Sequence, residues 1–262
     1  MTDIEITPIE RGHIRTDINH IIEGFSMGSA DEPNPETEMG EGPVYNLVIE
    51  GEQTILWDTG SHPDAGEGHW PAELYSAFEH YDASEHHLED DLEEAGYSID
   101  EIDAVIQSHL HLDHAGGLYN FAGTDVPIYV HEEELKYAYY SAKSDAGSSA
   151  YIAADFDHDL NWQVIHRERE THFEGIEFLH LPGHTPGLMG LFLRTTDGPT
   201  LVIGDQAYMR ANYDDEQPLG AGLLWSKRAW YESLRWIKDL ERRENATVSC
   251  GHDPEDLARL RG

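Results

Sequence analysis

Short apolar runs recur along this chain between Gly-, Pro- and Asp-rich turns, the spacing of buried strands. Val44-Tyr45-Asn46-Leu47-Val48-Ile49 and Thr54-Ile55-Leu56-Trp57 flank Gly51-Glu52 and predict a hairpin of two well-buried strands. Further strands are predicted at 104–108, 127–131, 162–165, 176–179, 190–193, 201–203 and 246–249. Residues 1–19 read as one or two strands with an early turn at Arg11-Gly12. Helical periodicity marks fewer segments. Ser84 is expected to cap a helix carrying Leu88, Leu92 and Ala95 to a stop at Gly96. Ser98 and Glu101 fit a capping box. An acidic helix is expected over 132–140, followed by a small-residue loop over 141–149. The longest helix begins near Ser226 and lines up Trp230, Leu234, Ile237 and Leu240 as a packing face. Asp253 and Pro254 suit the N-cap and first turn of a closing helix.

Residues 20–43, rich in Pro, Gly and acids, predict a long loop, and 61–83 read as irregular. No repeat and no domain boundary interrupts the pattern, so 1–262 is expected to form one domain. Strands first and helices interleaved later, twice over, predict two sheets packed face to face with helices outside.

Charge alters this picture more than length does. Fifty-two Asp and Glu oppose sixteen Lys and Arg, a formal net charge of −36, and the only lysines are Lys136, Lys143, Lys227 and Lys238. Self-repulsion of that size works against a compact state at ordinary ionic strength. Molar salt shortens the Debye length to about 3 Å and screens it. The composition resembles that of cytoplasmic proteins from salt-accumulating halophiles. A polyanion is also a poor ligand for nucleic acid or anionic membranes, and neither partner is expected. No apolar stretch is long enough to cross a bilayer, and Met1-Thr2-Asp3-Ile4-Glu5 lacks the basic-then-apolar order of a secretory signal. Cys250 is the single cysteine, which excludes an intrachain disulfide and favours an intracellular setting.

The chemistry gathers at strand ends. Ser108-His109-Leu110-His111-Leu112-Asp113-His114-Ala115-Gly116-Gly117 follows the apolar Ala104-Val105-Ile106. Strand alternation brings His109 and His111 to one face, while Gly116 and Gly117 leave room for close backbone approach. His184 lies in Pro182-Gly183-His184-Thr185-Pro186-Gly187, Asp205 ends Leu201-Val202-Ile203-Gly204-Asp205, and His252 follows the last strand. These seven groups exceed the four ligands zinc usually takes. Two divalent metals sharing one carboxylate would use them all, and imidazole-rich N/O donors favour Zn2+.

With these residues in view, the chain resembles the metallo-β-lactamase superfamily of hydrolases, for which the His-x-His-x-Asp-His motif is highly specific. The resemblance implies an αββα sandwich with its site along one edge of the sheets. It implies that His109, His111 and His184 hold one metal, that Asp113, His114 and His252 hold the other, and that Asp205 bridges. Asp58, in Asp58-Thr59-Gly60, matches an early turn whose carboxylate supports the ligand loop. From about residue 44 onward the chain is similar to N-acyl homoserine lactonases, whose tyrosine three residues after the bridging aspartate is matched by Tyr208. The Asn212–Pro218 segment looks like that family too, and the first 43 residues match it less well. The implied reaction is attack of a metal-bridging hydroxide on a small-molecule lactone. Tyr208 would bind the carbonyl, and Asp113 would pass a proton to the leaving alkoxide. A homodimer is left open.

The alternative is a glyoxalase II-like thioesterase or another ester hydrolase of the same fold. The thioesterase resemblance calls for an additional C-terminal helical domain, and only ten residues follow His252. The net charge of −36 disfavours a nuclease. A β-lactamase would more often carry an export signal, and a purely structural zinc site would be rich in cysteine.

Overall fold

Runs such as Leu47-Val48-Ile49 bury both faces of a strand, and this requires a layer on each side of the sheet. The computed structural model of the protein describes residues 4–144 and 146–261. Met1-Thr2-Asp3, on which the reading of the N-terminus partly rests, and Asp145 of the 141–149 loop lie outside the described residues. The chain runs β1 (Glu5–Asp17), α1 (Ile18–Ile21), β2 (Met39–Glu50), β3 (Thr54–Trp57), α2 (Ala72–Ala77), β4 (Phe78–His80), α3 (Leu88–Glu94) and β5 (Ala104–Ile106). It continues through β6 (Pro127–His131), α4 (Glu132–Lys143), α5 (Ala153–Phe156), β7 (Asn161–Ile165), β8 (Arg169–Phe173), β9 (Ile176–His180), β10 (Met189–Thr195) and β11 (Gly198–Val202). The last elements are α6 (Arg210–Asp214), α7 (Lys227–Glu244), β12 (Thr247–Ser249) and α8 (Pro254–Leu260).

The strands form a seven-stranded mixed sheet, β4-β1-β2-β3-β5-β6-β7, and a five-stranded mixed sheet, β12-β11-β10-β9-β8. Leu47, Ile49, Ile55, Trp57 and Ile106 of the first meet Phe178, Leu191, Leu193 and Val202 of the second in the central core. Val48, Leu56, Val105 and Ile128, pointing the other way as strand alternation demands, pack under Leu88 and Leu92 of α3 and Ala138 of α4. On the far side, Phe192 and Leu201 pack under Trp230, Leu234, Ile237 and Leu240 of α7. Each of those α7 side chains contributes about 1.5–3 kcal/mol by leaving water. This is the expected αββα sandwich.

The structure departs from the sequence expectations where apolar periodicity is weak. The long-loop expectation over 20–43 is too wide, because α1 covers 18–21 and β2 begins at Met39 against Asp17. Of the segment read as one or two strands over 1–19, the described residues 4–19 contain a single strand, β1, whose register shifts between Glu10 and His13 around Gly12. The segment read as irregular over 61–83 contains α2 and the edge strand β4, paired with β1 through Ile14 and His80. Edge strand β8, Arg-Glu-Thr-His-Phe, has no apolar run by which to be seen. Helix α3 has His87 rather than Ser84 at its N-cap position, since Leu88 and Leu92 are its buried pair and a 3-10 turn takes up Ala83–Glu85. The caps at Ser226 and Asp253 and the Ser98–Glu101 capping box are present.

Candidate active site

The site is built where β3, β5, β9, β11 and β12 end. Asp58 leaves β3 in the left-handed region, φ 57°, and turns its carboxylate back onto the next strand's loop. Its Oδ1 accepts from Ser108 N at 2.6 Å, and its Oδ2 accepts from Ser108 Oγ at 2.6 Å and His114 Nδ1 at 2.9 Å. The His-x-His-x-Asp-His stretch then closes one tight turn, with His114 N and Ala115 N donating to His111 O at 3.0 Å. Gly116 N donates to Gly60 O, and a Cβ at Gly116 would lie 2.1 Å from His62 N, so the loop rests directly on the Asp58 turn.

Second partners hold four of the five motif imidazoles from behind. Ser108 spends its hydroxyl proton on Asp58, so His109 Nδ1 donates to Ser108 Oγ at 2.9 Å. His114 Nδ1 donates to Asp58, His184 Nδ1 to Leu223 O at 2.6 Å, and His252 Nδ1 to Pro43 O at 2.9 Å. In all four the Nε2 lone pair is thereby left for the site. The Nε2 atoms of His109 and His184 lie 3.2 Å apart, and His111 Nδ1 lies 2.9 Å from His184 Nε2. Lone pairs at such separations repel unless something electrophilic lies among them. Burial holds His109 and His111 well below the usual imidazole range and lowers His184, so all three are neutral donors.

Asp113 and His114 continue the same loop, and Asp205 and His252 reach them from the five-stranded sheet. Asp205 Oδ2 lies 3.6 Å from His109, 3.4 Å from His184 and 3.3 Å from His114, while Oδ1 lies 3.3 Å from His252. Asp113 Oδ2 is 3.6 Å from both His114 and His252. Burial alone would raise the Asp205 pKa, but the positive charge that His114 and His252 take up when no ion occupies their Nε2 lone pairs outweighs it and holds the carboxylate well below its usual range. Two groups emerge, His109-His111-His184 and Asp113-His114-Asp205-His252, with donor atoms of each within 4.8 Å of one another. The buried Asp113 Oδ2, His114 Nε2, His252 Nε2 and both Asp205 oxygens have no hydrogen-bond partner. Orphaned polar atoms are costly in a folded interior, and cations at this point would satisfy them together. The donor set therefore fits two divalent ions.

All seven ligand residues expected from sequence converge here, and Tyr208 joins them, its ring centroid 4.6 Å from that of His252. Burial first, then Asp205 and Asp113, keeps the Tyr208 proton on well above the usual phenol range, so its hydroxyl remains a donor. A cavity of about 210 Å³ opens beside Asp113 and Tyr208 and is lined also by His20, Leu74, Phe78 and Leu223. A larger one, about 480 Å³, lies around Ile4, Thr247 and Arg259, away from these donors.

Sequence reasoning missed Glu134. Buried on α4, it accepts from Leu110 N at 2.9 Å, Tyr151 Oη at 2.9 Å and Thr185 Oγ1 at 2.5 Å, and from Gly187 N. One carboxylate thus joins the His109–His111 loop to the His184 turn, and Tyr151 stacks edge-on to His111 at 4.5 Å. The available signal was its spacing with Ala138 and Ser141 on the buried face, obscured by its neighbours Glu132 and Glu133.

Sandwich and donors together define a metal-dependent hydrolase of the metallo-beta-lactamase superfamily. The model of that superfamily matches residues 39–252, and the chain belongs to it. Within it, the chain belongs to the family of the N-acyl homoserine lactonase AiiB of Agrobacterium fabrum. It is 32% identical to that protein over 263 residues, spanning 96% of this chain and 94% of that one. A Bacillus thuringiensis AiiA variant solved with N-decanoyl-L-homoserine at its active site superposes with a TM-score of 0.84 at 26% identity, over 99% of this chain and 97% of that one. An N-acyl homoserine lactone hydrolase solved with N-hexanoyl-L-homoserine at its catalytic metal centre gives 0.83 at 25% identity, with the same coverage.

Proposed function

We propose that this protein opens the lactone ring of N-acyl homoserine lactones. His109, His111 and His184 would hold one Zn2+, Asp113, His114 and His252 a second, and Asp205 would touch both. The observation that carries the reading is the pairing of the partnerless N/O donors with Tyr208, in a chain related to lactonases along nearly its whole length. When bound, the two ions supply Lewis acidity to the ester carbonyl and make the attacking water acidic. Tyr208 Oη donates a hydrogen bond to the carbonyl oxygen as it gains negative charge. Water adds to the carbonyl carbon, the ring C–O bond breaks, and Asp113 carries the proton to the departing ring oxygen. The product is the open N-acyl homoserine. Asp58 and Glu134 orient the ligand loops. Among the described residues no helix is long and apolar enough to cross a membrane. The acid-rich, lysine-poor composition supports a salt-rich cytoplasm as the setting.

Protein purified in high salt is expected to carry two metal equivalents per chain and to hydrolyse acyl homoserine lactones faster than thioesters or β-lactams. Tyr208→Phe should lower kcat by roughly 10²-fold with metal content intact. Fewer than two metals, preference for a thioester, or unchanged Tyr208→Phe kinetics refutes the corresponding part.

A further inference from the structure

Beside Tyr208 and Asp113, the same cavity is lined by a histidine that is neither a ligand nor part of the proton path. His20 lies in the last turn of α1, which Ile18 and Ile21 anchor in the core. Its carbonyl accepts from Gly220 N at 2.8 Å, and a Cβ at Gly220 would lie 2.1 Å from Asn19 O, so the helix is clamped against the 219–223 loop. The imidazole is fixed too. Thr16 Oγ1 donates its proton to Ala77 O at 2.8 Å and can then only accept from its other neighbour, His20 Nδ1, at 3.0 Å. Nδ1 must be the protonated nitrogen, and Nε2 is a lone-pair acceptor with no hydrogen-bond partner among the described residues. Of the other polar side chains lining the cavity, Ser148 Oγ accepts from Ala150 N at 3.3 Å and keeps a proton to donate, and Ser149 carries a hydroxyl that can turn either way. His20 alone presents an acceptor whose polarity its neighbours dictate.

We infer that His20 Nε2 accepts the amide N–H of the acylamino group, making the enzyme selective for lactones that carry an N–H next to the ring. This rests on the lactonase reading. It adds that the side-chain amide, as well as the ring, is recognised. A positioned acceptor rewards the N–H and leaves a lone pair unpaired against an analogue lacking it.

The test compares N-hexanoyl homoserine lactone with its analogue in which a methylene replaces the amide N–H. The wild-type holoenzyme is expected to favour the amide by about tenfold in kcat/KM. In His20→Ala that ratio should fall to about one, and in His20→Gln, which keeps an acceptor oxygen, most of it should survive. Metal content and Tm are followed throughout. A wild-type ratio near one overturns the assignment, as does an equal loss on both substrates in His20→Ala. If the wild type opens neither lactone, the lactonase reading itself fails and the assignment falls with it.

Discussion

Truncation of Glu134 is the sharpest test of how the site is held together. Its carboxylate is fully buried and satisfies two backbone N–H groups and two hydroxyls drawn from both ligand loops and from Tyr151. In Glu134→Ala the hydroxyls can turn elsewhere, but Leu110 N and Gly187 N are left buried and unpaired, at about 1–3 kcal/mol each. With the cavity added, a total loss of about 3–5 kcal/mol is expected. Glu134→Gln keeps one acceptor oxygen and should cost about 1–2 kcal/mol. At roughly 2–4 °C per kcal/mol for a chain of this size, Ala lowers Tm by about 6–20 °C and Gln by about 2–8 °C. Because the residue joins the His109–His111 loop to the His184 turn, it should also weaken metal binding at that trio first. Metal titration of chelator-treated protein would show one weakened and one nearly normal equivalent. A Tm for Glu134→Ala within 2 °C of wild type, or equal weakening of both equivalents, would refute the linking role.

Two further outcomes follow from charge and burial. Lys136, Lys143, Lys227 and Lys238 all sit against carboxylates, yet with fifty-two acids against sixteen Lys and Arg most of the acids among the described residues face no Lys or Arg, so Tm should climb between 0.1 M and 2 M NaCl. A gain of even ~2 kcal/mol moves it by roughly 4–8 °C, and a flat or falling Tm sinks the salt-adaptation reading. His131 caps α4 by accepting from Glu133 N and stacks on His180 at 3.8 Å; burial first, then His180, pushes its pKa from 6.5 down to about 4, against the pull of Glu133 and Glu132. Its contribution to stability is therefore complete above 6.5 and is lost as pH falls toward about 4, because the unfolded chain takes up the proton first. Thermal melts at pH 7 and pH 5 should show the loss, and His131→Asn, which retains a capping acceptor, should show a smaller one; an equal drop in both proteins contradicts the assignment.

Much of the site was legible because its candidate ligands are local or follow apolar runs. His109 to His114 lie within one turn after β5, and His184, Asp205 and His252 each follow a strand that hydrophobicity alone marks. Residues that act through tertiary hydrogen bonds were not legible. Glu134 resembles any acid in a helix's first turn until Leu110 and Thr185 are seen to reach it. His20 is one of seventeen histidines until Thr16 and Ala77 settle its tautomer. The fold was likewise clear in its buried strands and obscure at β4 and β8, edge strands whose pairing partners, rather than their own composition, place them in a sheet.

The scattering of the donors along the chain also orders events in time. His184 stands 75 positions from His109, and the Pro43 carbonyl that orients His252 is 209 positions from it. A chain emerging from the ribosome therefore displays the His109–His114 donors well before the groups that complete either candidate donor set exist. A cation captured then would be held by a partial, solvent-exposed set, and closing both sheets around it would require ligand exchange. Separations this long also make docking of the two sheets slow relative to local turns. Correct loading must then wait for β12 to join the five-stranded sheet, and the rate of metal uptake during refolding becomes a clock for that final docking step.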